Sequence, residues 1–156
     1  MKIPDHLRPP LLEQLEDQEN SEDCLTMRGS ALGHALLENN EKRDFFIEKF
    51  IKSEEPPLEG NELARELQAR GVGNILLGES ADDYLSRAKE LFENELEKAL
   101  PDLPEDVAID VATEPLKMAR QARSGLMENA FLRKKWSLCV SEAEHGRSII
   151  PDYLLY

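Results

Sequence analysis

Cysteine is nearly absent: the 156-residue chain has two, Cys24 and Cys139. Two thiols so far apart in sequence make no disulfide scaffold, so a reducing setting and a cytoplasmic localisation are expected. Aromatic residues are scarce at 6%, with a single Trp, which leaves Leu, Ala, Ile and Val to build a core. No apolar run approaches the ~20 residues of a spanning helix. The opening Met1-Lys2-Ile3-Pro4-Asp5-His6 has no apolar stretch behind its lysine, so no secretory signal and no membrane partner are expected. Positive charge is the last scarcity. Lys and Arg number 19 against 32 Asp and Glu, a net of -13, which favours solubility and opposes unspecific binding to nucleic acid or an anionic membrane.

What is present suits amphipathic helices. A charged fraction of 33% beside an apolar fraction of 40% gives each helix a wide wet face and an apolar stripe. The chain is read as mainly α, a single helical-bundle-like domain of about six helices over residues 21–148. Residues 1–20 form an arm or short helix before it, with Pro9-Pro10 forcing an extended entry and Leu11, Leu12 and Leu15 following. Ser21 with Glu22-Asp23 reads as a helix start, and Leu25, Leu32, Ala35 and Leu36 recur behind it at helical spacing. Asn39-Asn40 offers a break, after which Phe46, Ile47, Phe50 and Ile51 form one stripe.

Another helix is expected from Asn61 to Arg70, stopped by Gly71, with residues 72–77 as a buried turn or a stub of strand. The clearest element begins at a Ser80 cap. Tyr84, Leu85, Ala88, Leu91, Phe92, Leu96, Ala99 and Leu100 make one continuous stripe, halted by Pro101. Asp102 and Pro104 open a further helix, although Val107, Ile109 and Val111 alternate as a strand would. A minor two-stranded β element from 72–77 and 107–111 is therefore left open. Pro115 starts a last long stretch through Leu116, Ala119, Ala122, Leu126, Ala130, Phe131 and Trp136, with a kink allowed at Gly125 and an end at Gly146. The tail 149–156 is too apolar to stay in water, and packs on the domain or on a partner.

Charge is segregated along the chain. Residues 1–115 carry 12 Lys or Arg against 28 Asp or Glu, and residues 116–156 carry 7 against 4. Such asymmetry marks a binding surface, or two faces of one fold that attract each other. Lys117, Arg120 and Arg123 share a helix face, and Arg133-Lys134-Lys135 lies next to Phe131 and Trp136. Basic groups among aromatics hold nucleic acid by phosphate contact and stacking. The same groups equally suit Glu90, Glu93, Glu95 and Glu97 of the long acidic helix, or an acidic partner subunit. The large negative net charge favours the pairing, because repulsion weakens nucleic-acid binding.

Motifs for chemistry are incomplete. Glu142 and His145 have a Glu-x-x-His spacing, but a di-iron bundle requires such a pair from each of two helices, and His6 and His34 follow Ile3 and Ala31 at that spacing. Cys139 with His145, or Cys24 with His34, lacks an orienting third group, and Cys139 stands in an apolar stretch as a small hydrophobe. Gly71 to Gly78 is glycine-rich, yet Glu79 follows where a phosphate loop has Lys, and no dinucleotide fingerprint is present. The stretch 61–67 has the look of a first helix of a helix-turn-helix, but the following Ser80-Ala81-Asp82-Asp83 would set carboxylates against DNA phosphates.

The expectation is a non-catalytic accessory or regulatory subunit that binds another protein or itself, with no catalytic residues, metal or cofactor. Candidate contacts are Arg120, Arg123, Arg133, Lys134, Lys135, Trp136, Tyr153, Leu154 and Tyr156, since Arg and aromatic side chains commonly anchor interfaces. A nucleic-acid-associated protein using residues 117–135 is the alternative. An acidic inhibitor or nucleic-acid mimic, relying on electrostatic steering, is a second.

Overall fold

A computed structural model describes residues 3–99 and 114–149, with side chains as far as Glu144. A 3-10 turn over Asp5–Leu7 leads into α1 (Arg8–Asp17), α2 (Cys24–Leu36), α3 (Asn40–Lys52), α4 (Gly60–Leu76), α5 (Asp82–Ala99), α6 (Glu114–Leu132) and α7 (Trp136–Ile149). The mainly α reading holds, and the described residues contain no strand. Residues 72–76 continue α4 in place of the expected turn or strand stub. Residues 107–111 and the helix opening at Asp102 lie outside the described residues, as do Tyr153, Leu154 and Tyr156.

Gly71 and Gly73 do not stop α4; they let neighbours approach it. A Cβ on Gly71 would stand 2.9 Å from Leu85 Cδ2, and one on Gly73 2.9 Å from Ile51 Cδ1. The cap of α2 is Asp23, two residues after the expected Ser21. Asp23 Oδ2 accepts from the Thr26 backbone N–H and from Thr26 Oγ1, each at 2.9 Å. Those donors hold its carboxyl below the usual range. Asn39 caps α3 by accepting from the Lys42 backbone N–H at 3.2 Å.

Three helices end in the same hydrogen-bond pattern, in which the N–H two past the cap reaches back five residues. For α4 the left-handed position is Gly78, with φ 75° and a bond from Glu79 N–H to Asn74 O of 2.8 Å. For α2 it is Glu38, with φ 61° and Asn39 N–H to His34 O of 2.9 Å. For α6 it is Lys134, with φ 56° and Lys135 N–H to Ala130 O of 2.9 Å. The long final stretch therefore breaks at Lys134, whereas Gly125 lies inside α6 and Gly146 inside α7.

The chain forms two compact units. The first comprises residues 1–55 and Gly73–Glu79. Its core is Met27 and Ala31 of α2 with Phe46, Ile47 and Phe50 of α3, against which Ile51 and Leu77 are partly buried. The α2 stripe is rotated from expectation: Leu25 and Leu32 are 74% and 63% exposed, and Ala35 is exposed too, while Ser30 and His34 are buried. The His34 ring stacks on Phe46, with centroids 5.4 Å apart.

His34 gives this unit a pH dependence. Burial, then the charge of Lys42, pushes its pKa below the ordinary 6.5, with Glu19 opposing. Unfolded chain thus binds a proton that the folded unit refuses, so stability is complete above pH 6.5 and declines as pH falls toward the lowered folded value. The melting temperature of a His34→Phe variant, which cannot titrate there, is expected to fall less steeply than wild type on acidification below that point. Parallel curves for the two proteins would contradict this.

The second unit takes residues 56–72 and those from Ser80 onward. Ala64 and Leu67 of α4, Ala88, Phe92, Leu96 and Ala99 of α5, and Ala119, Ala122 and Leu126 of α6 form its core. The expected α5 stripe is buried from Leu85 to Ala99, with Tyr84 and Leu91 at its margins, and Leu100 lies outside the described residues. Polar side chains join the three helices through the core. Asn129 Nδ2 donates to Gln68 Oε1 (3.1 Å) and to Leu85 O (2.8 Å), and Asn61 Nδ2 donates to Met118 O (3.2 Å). A neutral amide in such a place costs desolvation unless its bonds are made, so these bonds fix the register of the helices.

Candidate docking surface

Two sequence features converge where α6 turns into α7. The turn is only Arg133-Lys134-Lys135, and the carbonyl of Lys135 already accepts from the Cys139 N–H of α7 at 2.9 Å. Compression of this kind brings Phe131, on the last turn of α6, against Trp136, the first residue of α7. Their rings meet edge to face, 5.4 Å between centroids, yet each side chain is 56% exposed. Met127 stands one helical turn before Phe131 and is also exposed, as are Leu138 and Val140 of α7. An aromatic pair held edge to face gains from the contact of its rings while leaving apolar surface for a further partner.

Three cations occupy the turn between the two rings. Arg133 Nη2 donates to Ser86 Oγ of α5 at 3.3 Å, which steadies one guanidinium. Lys134 and Lys135 are exposed. No carboxylate forms an ion pair with Arg133, Lys134 or Lys135 among the described residues. Lys134 holds a conformation that glycine adopts without strain, at a cost of about 1–2 kcal/mol for a residue with a Cβ. Backbone strain of this kind tends to collect at sites of function.

The other candidates divide. Arg123 is withdrawn from the surface: its Nη1 donates to Glu142 Oε2 of α7 at 2.7 Å, with side chains 18% and 15% exposed. Of the cations expected on one face of α6, Arg123 thus pairs with α7, and among the described residues no ion pair joins it to the carboxylates of α5. Glu93 pairs with Lys89 at 3.1 Å, and Glu95 with Lys98 at 2.9 Å. Glu95 is moreover 9% exposed, its carboxyl lying over Gly60 at the start of α4. Lys117 lies 3.9 Å from Glu114 of its own helix. Arg120 is half-buried on α6.

Sequence reasoning found Trp136 and the basic triplet but placed Phe131 within the same apolar stretch as Leu126 and Ala130. Leu116, Ala119, Ala122, Leu126 and Ala130 already complete a buried line, and Met127 with Phe131 falls one residue outside it. That offset is the signal for a second, outward face. Among the described residues no group of three or more His, Cys, Asp or Glu is gathered as metal ligands, and no helix is long and apolar enough to cross a membrane. Both thiols are free and half-buried. Comparison with known proteins adds no relative: no family model, no curated protein and no solved structure matches the chain.

Proposed function

We propose that this protein is a non-catalytic accessory subunit that docks onto an acidic segment of another protein through the elbow between α6 and α7. One observation carries the reading: an exposed Phe131–Trp136 pair joined by a turn that contains Arg133, Lys134 and Lys135, in a chain whose net charge is -13. Aromatic residues would supply the anchor and the cations its orientation and steering. A nucleic-acid role over residues 117–135 has less support, because Arg123 and Lys117 already face carboxylates. An acidic mimic has less support too, since Glu93 and Glu95 are neutralised along α5. Two free thiols suit a reducing, cytoplasmic setting.

Trp136 is the chain's one tryptophan, so its emission reports on the elbow directly. An acidic amphipathic peptide of Glu and Leu at helical spacing should shift that emission to the blue, and Lys134→Glu with Lys135→Glu should weaken binding about tenfold or more. The Lys134→Gly variant should be more stable by roughly 0.5–1 kcal/mol, from relief of the left-handed strain, while binding the peptide less well. A single-stranded oligonucleotide serves as the counter-probe. If it shifts Trp136 and the peptide does not, the nucleic-acid alternative replaces this reading; silence toward both would end the proposal.

A further inference from the structure

Apolar surface in the second unit is concentrated in one place. Among the described residues its exposed large apolar side chains are Met127, Phe131, Trp136, Leu138 and Val140, at the elbow and on the first turns of α7. Trp136 and Val140 stand one helical turn apart on the same side of α7, 56% and 57% exposed. They form an apolar anchor that runs from the elbow along α7.

The residues that follow α7 are chemically suited to this face. Residues 149–156 read Ile-Ile-Pro-Asp-Tyr-Leu-Leu-Tyr, with one charged side chain among eight. Such a run gains by leaving water. Pro151 lacks the N–H that would prolong the helix. At 1.5 Å per residue, Ile149 lies about 14 Å along α7 from Val140 and about 20 Å from Trp136. Five residues after Pro151 span up to about 16–18 Å when extended. Their length reaches Val140 with some to spare and meets the broad indole of Trp136 at its limit.

We propose that residues 152–156 turn back along α7 to cover Val140 and Trp136, and that the protein thereby carries its own competitor for the docking surface, a regulation that rests on the docking reading. Tethering selects this occupant. Attachment to the end of the same helix gives a short segment an effective concentration on the order of millimolar, which a free partner has to match. Asp152 begins the path at the far end of α7 from the elbow, so Lys134 and Lys135 stay open to steer an acidic partner. That partner displaces the segment in order to seat on Trp136. Cover held by a tether alone is partial, so an incoming peptide still shifts the emission of the full chain.

Trp136, the chain's one tryptophan, reads the cover without any ligand. In the full chain, Leu154→Asp with Leu155→Asp should move its emission to the red and increase its quenching by acrylamide. A chain ending at Ile149 should do the same with helix content kept by circular dichroism. Adding a peptide of residues 149–156 should return its emission to the blue, which a merely unfolded variant would not do. The acidic Glu–Leu peptide should bind both variants about threefold or more tighter than wild type. Emission and quenching that stay unchanged in both variants overturn the proposal, and so does a peptide that binds all three forms alike. If emission moves as expected but no form binds the acidic peptide, the failure lies with the docking reading.

Discussion

Glu66→Ala is expected to lower the unfolding free energy by about 3–5 kcal/mol, because it takes one carboxylate partner from a buried guanidinium. Arg70 and Glu66 lie one turn apart on α4, Arg70 Nε donating to Glu66 Oε1 at 3.3 Å with side chains 2% and 7% exposed. At 2% exposure the Arg70 side chain gains little hydration in place of that carboxylate. The pair need not stabilise the fold relative to apolar residues, since the desolvation of two ions offsets their attraction. A double replacement, Glu66→Leu with Arg70→Met, should therefore recover most of the loss. Urea unfolding of the two variants measures both effects. A loss under 1 kcal/mol in the single variant would mean that solvent reaches this site.

Gly125→Ala sets two physical effects against each other. Helix propensity alone predicts stabilisation of about 1 kcal/mol for alanine over glycine inside α6. Packing predicts the reverse. A Cβ on Gly125 would fall within the van der Waals envelope of the Phe92 ring of α5, and Phe92 is wholly buried. Overpacking costs about 1–3 kcal/mol and more where a rigid ring cannot turn aside, so net destabilisation is expected. Gln68 Nε2 also donates to Gly125 O at 3.4 Å, tying α4 to the same crossing. Trimming the ring with Phe92→Leu should make the Gly125→Ala change less costly, and the double-mutant cycle reads this coupling. A stabilised single variant would show that α5 and α6 part easily.

These two sites also show what the sequence could and could not disclose. The apolar stripe of α5 was legible because seven side chains from Tyr84 to Ala99 obey one period, and nothing local competes with it. Phe46, Ile47 and Phe50 on α3 were legible for the same reason. Helix ends were not. Glu38 and Lys134 occupy positions where glycine is the usual signal, whereas Gly71, Gly125 and Gly146 lie inside helices. Glycine serves both for left-handed turns and for close packing, and only the neighbours decide which. Arg70, Gln68 and Asn129 were missed because a polar residue on an apolar stripe reads as solvent until its partners are known. Leu25 and Leu32 failed in the opposite sense: helical spacing located a face without saying that it points outward.

The elbow was half legible. Basic residues next to an aromatic were visible as a cluster, while their position between the two exposed rings depends on a Lys in the left-handed turn. Arg123 shows the limit of charge spacing, since the same i, i+3 pattern that suggested a continuous positive face conceals a bond to Glu142 nineteen residues later.

The way α4 is shared has a bearing on how the molecule can be dissected. Its residues through Val72 belong to one unit and those from Gly73 to the other, so neither unit is an uninterrupted length of chain. A fragment ending at Glu55 forfeits the strip Gly73–Glu79, including Gly73 itself, against which Ile47 and Ile51 rest. Truncations made at the Pro56-Pro57 junction would therefore report damage to an interior as though it were loss of a partner. Point substitutions on the outer faces are the sounder instrument for mapping what this protein meets.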